Sequence, residues 1–441
     1  MEVKRNNQLG LRELVSLAIG GVVGVGAITH IGVAIGYTGP SAWLAYITAV
    51  LIGMLFCLPI GIATSVLRLD GGIYTLIGHF MGKQAAGIYA AGFLLYFPGI
   101  AIYGMSIGMY LHSMWPSINQ KAAGIGILTL FYLINLSGVK LMVKAQKVMV
   151  VSLLTSLLVF IAVGLPQITS ASFAFGSSDF FMNGAGGFFR AVFLLFYSVT
   201  GYYWIMFYGR YARHPQKNIP TAMLITALSI LVLYGGIGLV ESGVLPVEQV
   251  ANQPLTWVAK EILPQPLFLA FMICGPFMAL MAPANFLFTT YCQPVREAAE
   301  DGWFASAFAK TNNRGVSVLP LTLLWLCGIA PIFLGMDIAT ITNSYMLVDY
   351  TLIYLMMFSL LRIPSKMPQQ WDKRYIRIPT KLYYVCTGVA ILIQTATIIA
   401  AASSLTATML ISSLTILFIL IVYALLRGRS GKVHMAIKKF D

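Results

Sequence analysis

Ile19-Gly20-Gly21-Val22-Val23-Gly24-Val25-Gly26-Ala27-Ile28 lies in the first apolar span of this chain, and Phe196-Tyr197-Ser198-Val199-Thr200-Gly201-Tyr202 lies in the sixth. Glycine interrupts both spans at matching places, near the start of each half. Unwound backbone inside a bilayer leaves N–H and C=O groups unpaired, so it is tolerated only where it is buried in protein or lines a cavity. The two breaks are therefore predicted to face a bound solute near the middle of the membrane.

The surrounding composition sets the class. Hydrophobic residues make up 59% of the chain, charged residues 10%, and mean hydropathy is +0.83. A soluble domain carries roughly 25% charged residues. Apolar stretches of about 20 residues, enough to cross the hydrocarbon core, recur along the whole chain. Twelve are read, near 12–36, 41–67, 85–112, 122–138, 145–166, 187–209, 219–241, 266–290, 317–335, 338–361, 381–402 and 405–427. The expected fold is all-α and polytopic, with no separate soluble domain.

The net charge of +14 follows the same topology. With the N-terminus inside, every Lys and Arg except Lys121, Arg190 and Lys260 falls on the cytoplasmic side. That is the positive-inside pattern, which orients the chain with both termini in the cytoplasm. The basic excess then reflects topology and attraction to anionic lipid, not nucleic acid. Lys4, Arg5 and Arg12 flank the first span, which has no small-residue cleavage pattern and is expected to stay as an anchor. Cys57, Cys274, Cys292, Cys327 and Cys386 lie in or beside spans without metal-type spacing, so no disulfide and no metal site is expected.

The spans divide as five, five and two. The first repeat covers residues 1–166, the second 187–362, and the last two helices 381–427. Five spans per half is odd, so the second half starts from the opposite membrane face and the repeat is inverted. Asp70-Gly71-Gly72 is expected as a turn. Residues 243–265 are expected as short helices over the outer mouth, and 363–380 as a basic inner loop.

Gly24-Val25-Gly26 lacks the preceding strand and the later acid of a dinucleotide loop, which excludes that reading. Close helix packing through Gly20 and Gly24 is the plain alternative. The functional reading is a turn exposing the amides of Val25, Gly26 and Ala27. A helix begins there with its positive dipole end at the break, which suits a carboxylate. The end of a helix at Ser198 to Gly201 offers carbonyls that suit an ammonium. Together the breaks suit a zwitterion. Tyr197, Tyr202, Tyr203 and Trp204 flank the second break, where they either gate a solute or pack as an ordinary aromatic face.

Five pieces of sequence carry a family resemblance. They are the glycine-rich stretch from Gly20 to Ile28, Gly39-Pro40, Asp70-Gly71-Gly72-Ile73-Tyr74, His214-Pro215-Gln216-Lys217-Asn218-Ile219-Pro220, and Glu300-Asp301-Gly302 followed by Phe304. In that order they resemble the amino acid–polyamine–organocation family of secondary transporters, with the LeuT-type fold of broken helices 1 and 6. The resemblance implies uptake or exchange of an amino acid or amine across the cytoplasmic membrane, with symport or antiport both open. It also implies that Val25 and Gly26 give amides to a substrate carboxylate. Carbonyls of Val22, Val23, Tyr197, Ser198 and Thr200 would receive its ammonium. The chain departs from relatives in having Tyr203 where many carry an acid, Arg210 and Tyr211 before the helix-six motif, and Ile28 for a phenylalanine. Lys147 lies near the inner end of helix five, not within it.

Ionisable groups at membrane depth are expensive and suggest function. Asp349 lies near the middle of span ten, and His30 about one turn past Gly26, given ~3.6 residues per turn. Either is a candidate for proton coupling, and Asp349 also for an amine counter-ion. Each has a structural alternative as a buried hydrogen-bonding group. Arg190 and Glu241 sit near span ends and read as interfacial. Tyr96 and Tyr103 are candidate gating or side-chain pocket residues. Five scattered histidines without metal spacing argue against a membrane enzyme, so no catalytic residue and no cofactor is expected. The expected substrate is a small, neutral amino acid. An amine or polyamine is the alternative, and a sensor with a transporter fold stays open.

Overall fold

The protein is seen here in a computed structural model that describes residues 8–177 and 179–435, without the side chains of residues 25, 171, 339–340, 342–346 and 404. Among the described residues twenty α-helices run in order. The first part of the chain holds α1 (Leu11–Val22), α2 (Val25–Thr38), α3 (Ala42–Val66), α4 (Ile73–Met81), α5 (Lys83–Phe93), α6 (Ile100–Met114), α7 (Gln120–Leu136) and α8 (Val139–Gly164). Then come α9 (Gly184–Val199), α10 (Pro215–Gly243), α11 (Val247–Val250), α12 (Leu255–Ile262), α13 (Gln265–Met272), α14 (Met278–Glu300), α15 (Val318–Leu334) and α16 (Ile338–Leu361). The chain ends with α17 (Ile363–Lys366), α18 (Pro368–Asp372), α19 (Thr380–Ser404) and α20 (Ala407–Arg429). Among the described residues there is no strand, only two isolated bridges.

Helices that are apolar on every side belong inside a bundle or a bilayer. Eight helical stretches are long and apolar enough to cross a membrane, from Gly26–Val66 to Ala407–Arg429, and three shorter apolar helices accompany them. The chain is thus an all-α polytopic membrane protein. Gly26–Val66 holds parts of two sequence-read spans, because the 3-10 turn Gly39–Ser41 joins α2 to α3 without a gap. α13 runs into α14 through a π-turn at Ile273–Phe277, where Pro276 removes a backbone donor.

The two breaks differ. α1 stops at Val22, Val23 and Gly24 are extended, and α2 starts at Val25. α9 stops at Val199, and after Thr200 the chain tightens into a 3-10 helix, Gly201–Tyr208, instead of unwinding. α2 packs on α9, and α1 packs on that 3-10 segment. The turn at Asp70-Gly71-Gly72 is present. Gly72 has φ +60°, and a Cβ there would run into Phe207. The segment after α10 folds as α11 and α12 against α2, with the Asn252 amide donating to the Gly32 carbonyl at 2.8 Å.

Candidate functional site

The breaks frame a cavity of about 400 Å³. Gly21, Val22, Gly24, Gly26 and His30 line it from the first break, and Tyr197, Ser198, Gly201 and Trp204 from the second. Ile102, Tyr103 and Ser106 of α6 form one wall, and Pro283, Phe286, Leu287 and Tyr291 of α14 another. No Asp, Glu, Lys or Arg lines it among the described residues.

Backbone polarity supplies the missing charge. α1 and α9 both end at the cavity, so their unpaired carbonyls bring negative partial charge to it. α2 begins there, so its first amides bring positive partial charge. The Ala27 amide donates to the Gly24 carbonyl at 3.1 Å, while the amides of Val25 and Gly26 make no backbone hydrogen bond among the described residues. Positive and negative helix ends thus meet within one small space.

Side chains tie the breaks together. His30 Nδ1 and the Ser198 hydroxyl are hydrogen-bonded at 2.9 Å. The Tyr234 hydroxyl of α10 is 3.2 Å from the Val22 carbonyl and 3.3 Å from the Ser198 carbonyl, so it can donate to either. Gly26 is required for this closeness, because a Cβ there would collide with the Ser198 hydroxyl.

Of the residues singled out in the sequence, Gly21, Val22, Gly24, Gly26, His30, Tyr103, Tyr197, Ser198, Gly201 and Trp204 line this cavity. The others lie outside its lining. Val23 and Ala27 are buried in packing. Val25 contributes backbone only, since its side chain lies outside the description. The Thr200 carbonyl accepts from the Tyr203 amide at 3.2 Å. Tyr202 is buried against α3, with its hydroxyl 3.5 Å from the Gly53 carbonyl. Tyr203 is buried, its ring 6.3 Å from Phe56. The Tyr96 hydroxyl donates to Asp349, and the Tyr96 ring lies 6.0 Å from Trp204 and 5.9 Å from Tyr291. Asp349 therefore stands one aromatic layer behind the cavity wall. Its neighbour Tyr350 is hydrogen-bonded to the Tyr197 hydroxyl. Lys147 is 3.4 Å from Glu13, away from the cavity.

Sequence reasoning missed Tyr234, Ser106 and the α14 wall. None of them interrupts a span with glycine, so only the folded packing reveals them. It also read Glu241 as interfacial, whereas the structure buries it completely. α10 packs here against α3, α2 and α11, so a residue near a helix end is covered by its neighbours.

Trp204 and Tyr291 of the lining belong to a wider aromatic layer. Trp204 packs on Phe207 at 5.3 Å and on Tyr291 at 5.8 Å, and Phe93 packs on both. Beyond them Arg210 pairs with Glu297 and with both Glu300 oxygens, the latter at 2.8 and 2.7 Å. Leu9 bridges the segment after the 3-10 helix, with its amide donating to the Tyr211 carbonyl at 2.7 Å and its carbonyl accepting from the Arg213 amide at 2.8 Å.

An all-helical membrane protein with a cavity between two interrupted helices has the build of a solute permease. The profile of the amino acid permease family matches residues 9–429, and the chain belongs to that family. It is similar to the branched-chain amino acid permease BcaP of Lactococcus lactis subsp. cremoris, 23% identical over 82% of this chain and 83% of the relative. It is also similar to BcaP of Bacillus subtilis, 24% identical over 57% of this chain; the match spans 58% of that relative's length. A third relative is the L-asparagine permease of Salmonella typhimurium, 24% identical over 49% of this chain and 46% of the relative. These relatives are permeases, which move solutes instead of transforming them.

Proposed function

We propose that the chain is a secondary active transporter that moves a neutral amino acid with an apolar side chain by alternating access. The observation that carries this reading is the meeting of opposite helix ends in a cavity without charged side chains. The amides of Val25 and Gly26 hold the substrate carboxylate. Carbonyls at the ends of α1 and α9 hold its ammonium. A carbonyl has two lone pairs, so a contact from the Tyr234 hydroxyl leaves room for a second donor. Ile102, Trp204, Phe286, Leu287 and Tyr291 receive the side chain. This wall agrees with the branched-chain substrates named for two relatives.

On this reading the chain has twelve spans in the plasma membrane, two inverted five-helix repeats and cytoplasmic termini. The paired packing of α2 on α9 and of α1 on the 3-10 segment supports the inversion. Asp349 accepts from the Tyr96 hydroxyl behind the cavity wall, so the amine counter-ion reading is the alternative to this one.

The test is counterflow of labelled L-leucine in proteoliposomes, with a competitor panel. Neutral aliphatic amino acids are expected to compete. Competition by amines or polyamines alone would overturn the zwitterion site and bring Asp349 forward. Binding without counterflow would favour a sensor.

A further inference from the structure

Glu241 is 0% exposed within α10, and neither carboxyl oxygen has a hydrogen-bond partner among the described residues. The next residue, Ser242, spends its hydroxyl on the Gly238 carbonyl at 2.8 Å and the Pro40 carbonyl at 3.3 Å, so it does not serve the acid. An isolated ionised carboxylate in an apolar interior costs far more than a neutral carboxyl. The conformation seen here is therefore one in which Glu241 carries a proton.

Tyr46 of α3 is the titratable group that faces it. Tyr46 is also fully buried, and its hydroxyl has no hydrogen-bond partner at normal distance. From the other elements packed on α10, namely α1, α2, α8, α11 and the turns at 39–41, 165–167, 170–173 and 201–208, no side chain hydrogen-bonds the carboxyl among the described residues. Beyond Tyr46 the polar path continues. Tyr46 neighbours Ser198, and its ring stacks 4.7 Å from Tyr234. Tyr234 touches the Val22 and Ser198 carbonyls, and Ser198 bonds His30 at the cavity. A buried acid thus connects to both helix breaks through two buried tyrosines.

We propose that Glu241 is a proton-binding site linked to the substrate cavity through Tyr46 and Ser198, so that one proton moves with each substrate. Buried acids inside transport proteins serve as such relays. The carboxylate takes H⁺ from water on one side of the membrane and, when the breaks rearrange and water reaches it, returns H⁺ to the other side. No other reactant is consumed. This inference rests on reading the cavity as the substrate site.

The test compares wild type with Glu241→Gln, which keeps the shape but holds no exchangeable acid. Both are reconstituted, and L-leucine counterflow and pH-driven accumulation are measured. With one proton per substrate, a gradient of about one pH unit supports about tenfold accumulation. Wild type is expected to reach that range. Glu241→Gln is expected to keep counterflow within about twofold and to lose accumulation. Accumulation that survives in Glu241→Gln overturns the proposal, as does wild type that shows counterflow but no pH-driven accumulation. Absent wild-type counterflow contradicts instead the transporter reading beneath it. Should Glu241→Gln not fold, Tyr46→Phe decides: accumulation reduced severalfold supports the link, and unchanged accumulation overturns it.

Discussion

In the segment before α10, Arg210 is 4% exposed and lies between Glu297 and Glu300; near the far end of α10, Glu241 is 0% exposed and its carboxyl has no hydrogen-bond partner among the described residues. Burial opposes the Arg210 charge, but the hydrogen bonds it donates to Glu300 and the charges of Glu297, Glu300 and Asp70 outweigh it and raise the guanidinium above its ordinary value. This end is built to stay charged, and Leu9 pairs beside it with the backbone of Tyr211 and Arg213. The Glu241 end is built without any counter-charge. The segment before the helix holds an ion-paired charge, and the far end of the helix holds a buried acid without a hydrogen-bond partner among the described residues.

The comparison breaks most sharply at Arg210. Arg210→Ala removes the cation that pairs with Glu297 and Glu300, and breaking such a buried ion pair costs about 3–5 kcal/mol. The purified variant is expected to melt far below wild type or to fail to fold. A melting point within a degree of wild type would show that this end is held by the aromatic layer alone.

Glu241→Gln gives the opposite expectation. It removes no counter-ion and relieves an unpaired acid, so its melting point at neutral pH should be no lower than wild type. A large fall would show that the carboxyl does have a partner. The contrast between these two variants sharpens the reading more than either value alone.

Within the cavity the effects are smaller. Gly26→Ala drives a methyl into the Ser198 hydroxyl. It should weaken leucine binding at least tenfold, or about 1.4 kcal/mol, in equilibrium titration. Unchanged affinity would mean that the α2 amides do not touch the substrate. Tyr234→Phe removes one donor shared between two carbonyls, worth about 1 kcal/mol, and should lower affinity about fivefold. An unchanged value would place both carbonyls outside the binding step.

Much of this was legible in the chain because glycine leaves a local mark. The first break falls at Val23 and Gly24, next to the residues the sequence singled out. The second break was legible in place but not in form. Whether a chain unwinds or tightens after Thr200 depends on what packs on Tyr202 and Tyr203, and those partners come from α3. The α14 wall, more than 250 residues from the first break, carries no local signal for its role. Hydropathy placed Asp349 at mid-span but could not show that Tyr96 covers it. It placed Glu241 near a span end, where only tertiary packing reveals the burial. The basic loop after the second break was read as a departure from relatives at Arg210, and the structure gives that departure a purpose in pairing with α14.

The most direct measurement is equilibrium binding of L-leucine beside two analogues that each lack one charge, 3-methylbutylamine and 4-methylpentanoate. If the helix ends at the two breaks hold a zwitterion, leucine binds and each analogue binds at least tenfold more weakly, about 1.4 kcal/mol per tenfold. If the amine binds as tightly as leucine, the amides of Val25 and Gly26 hold no carboxylate, and the central claim is wrong.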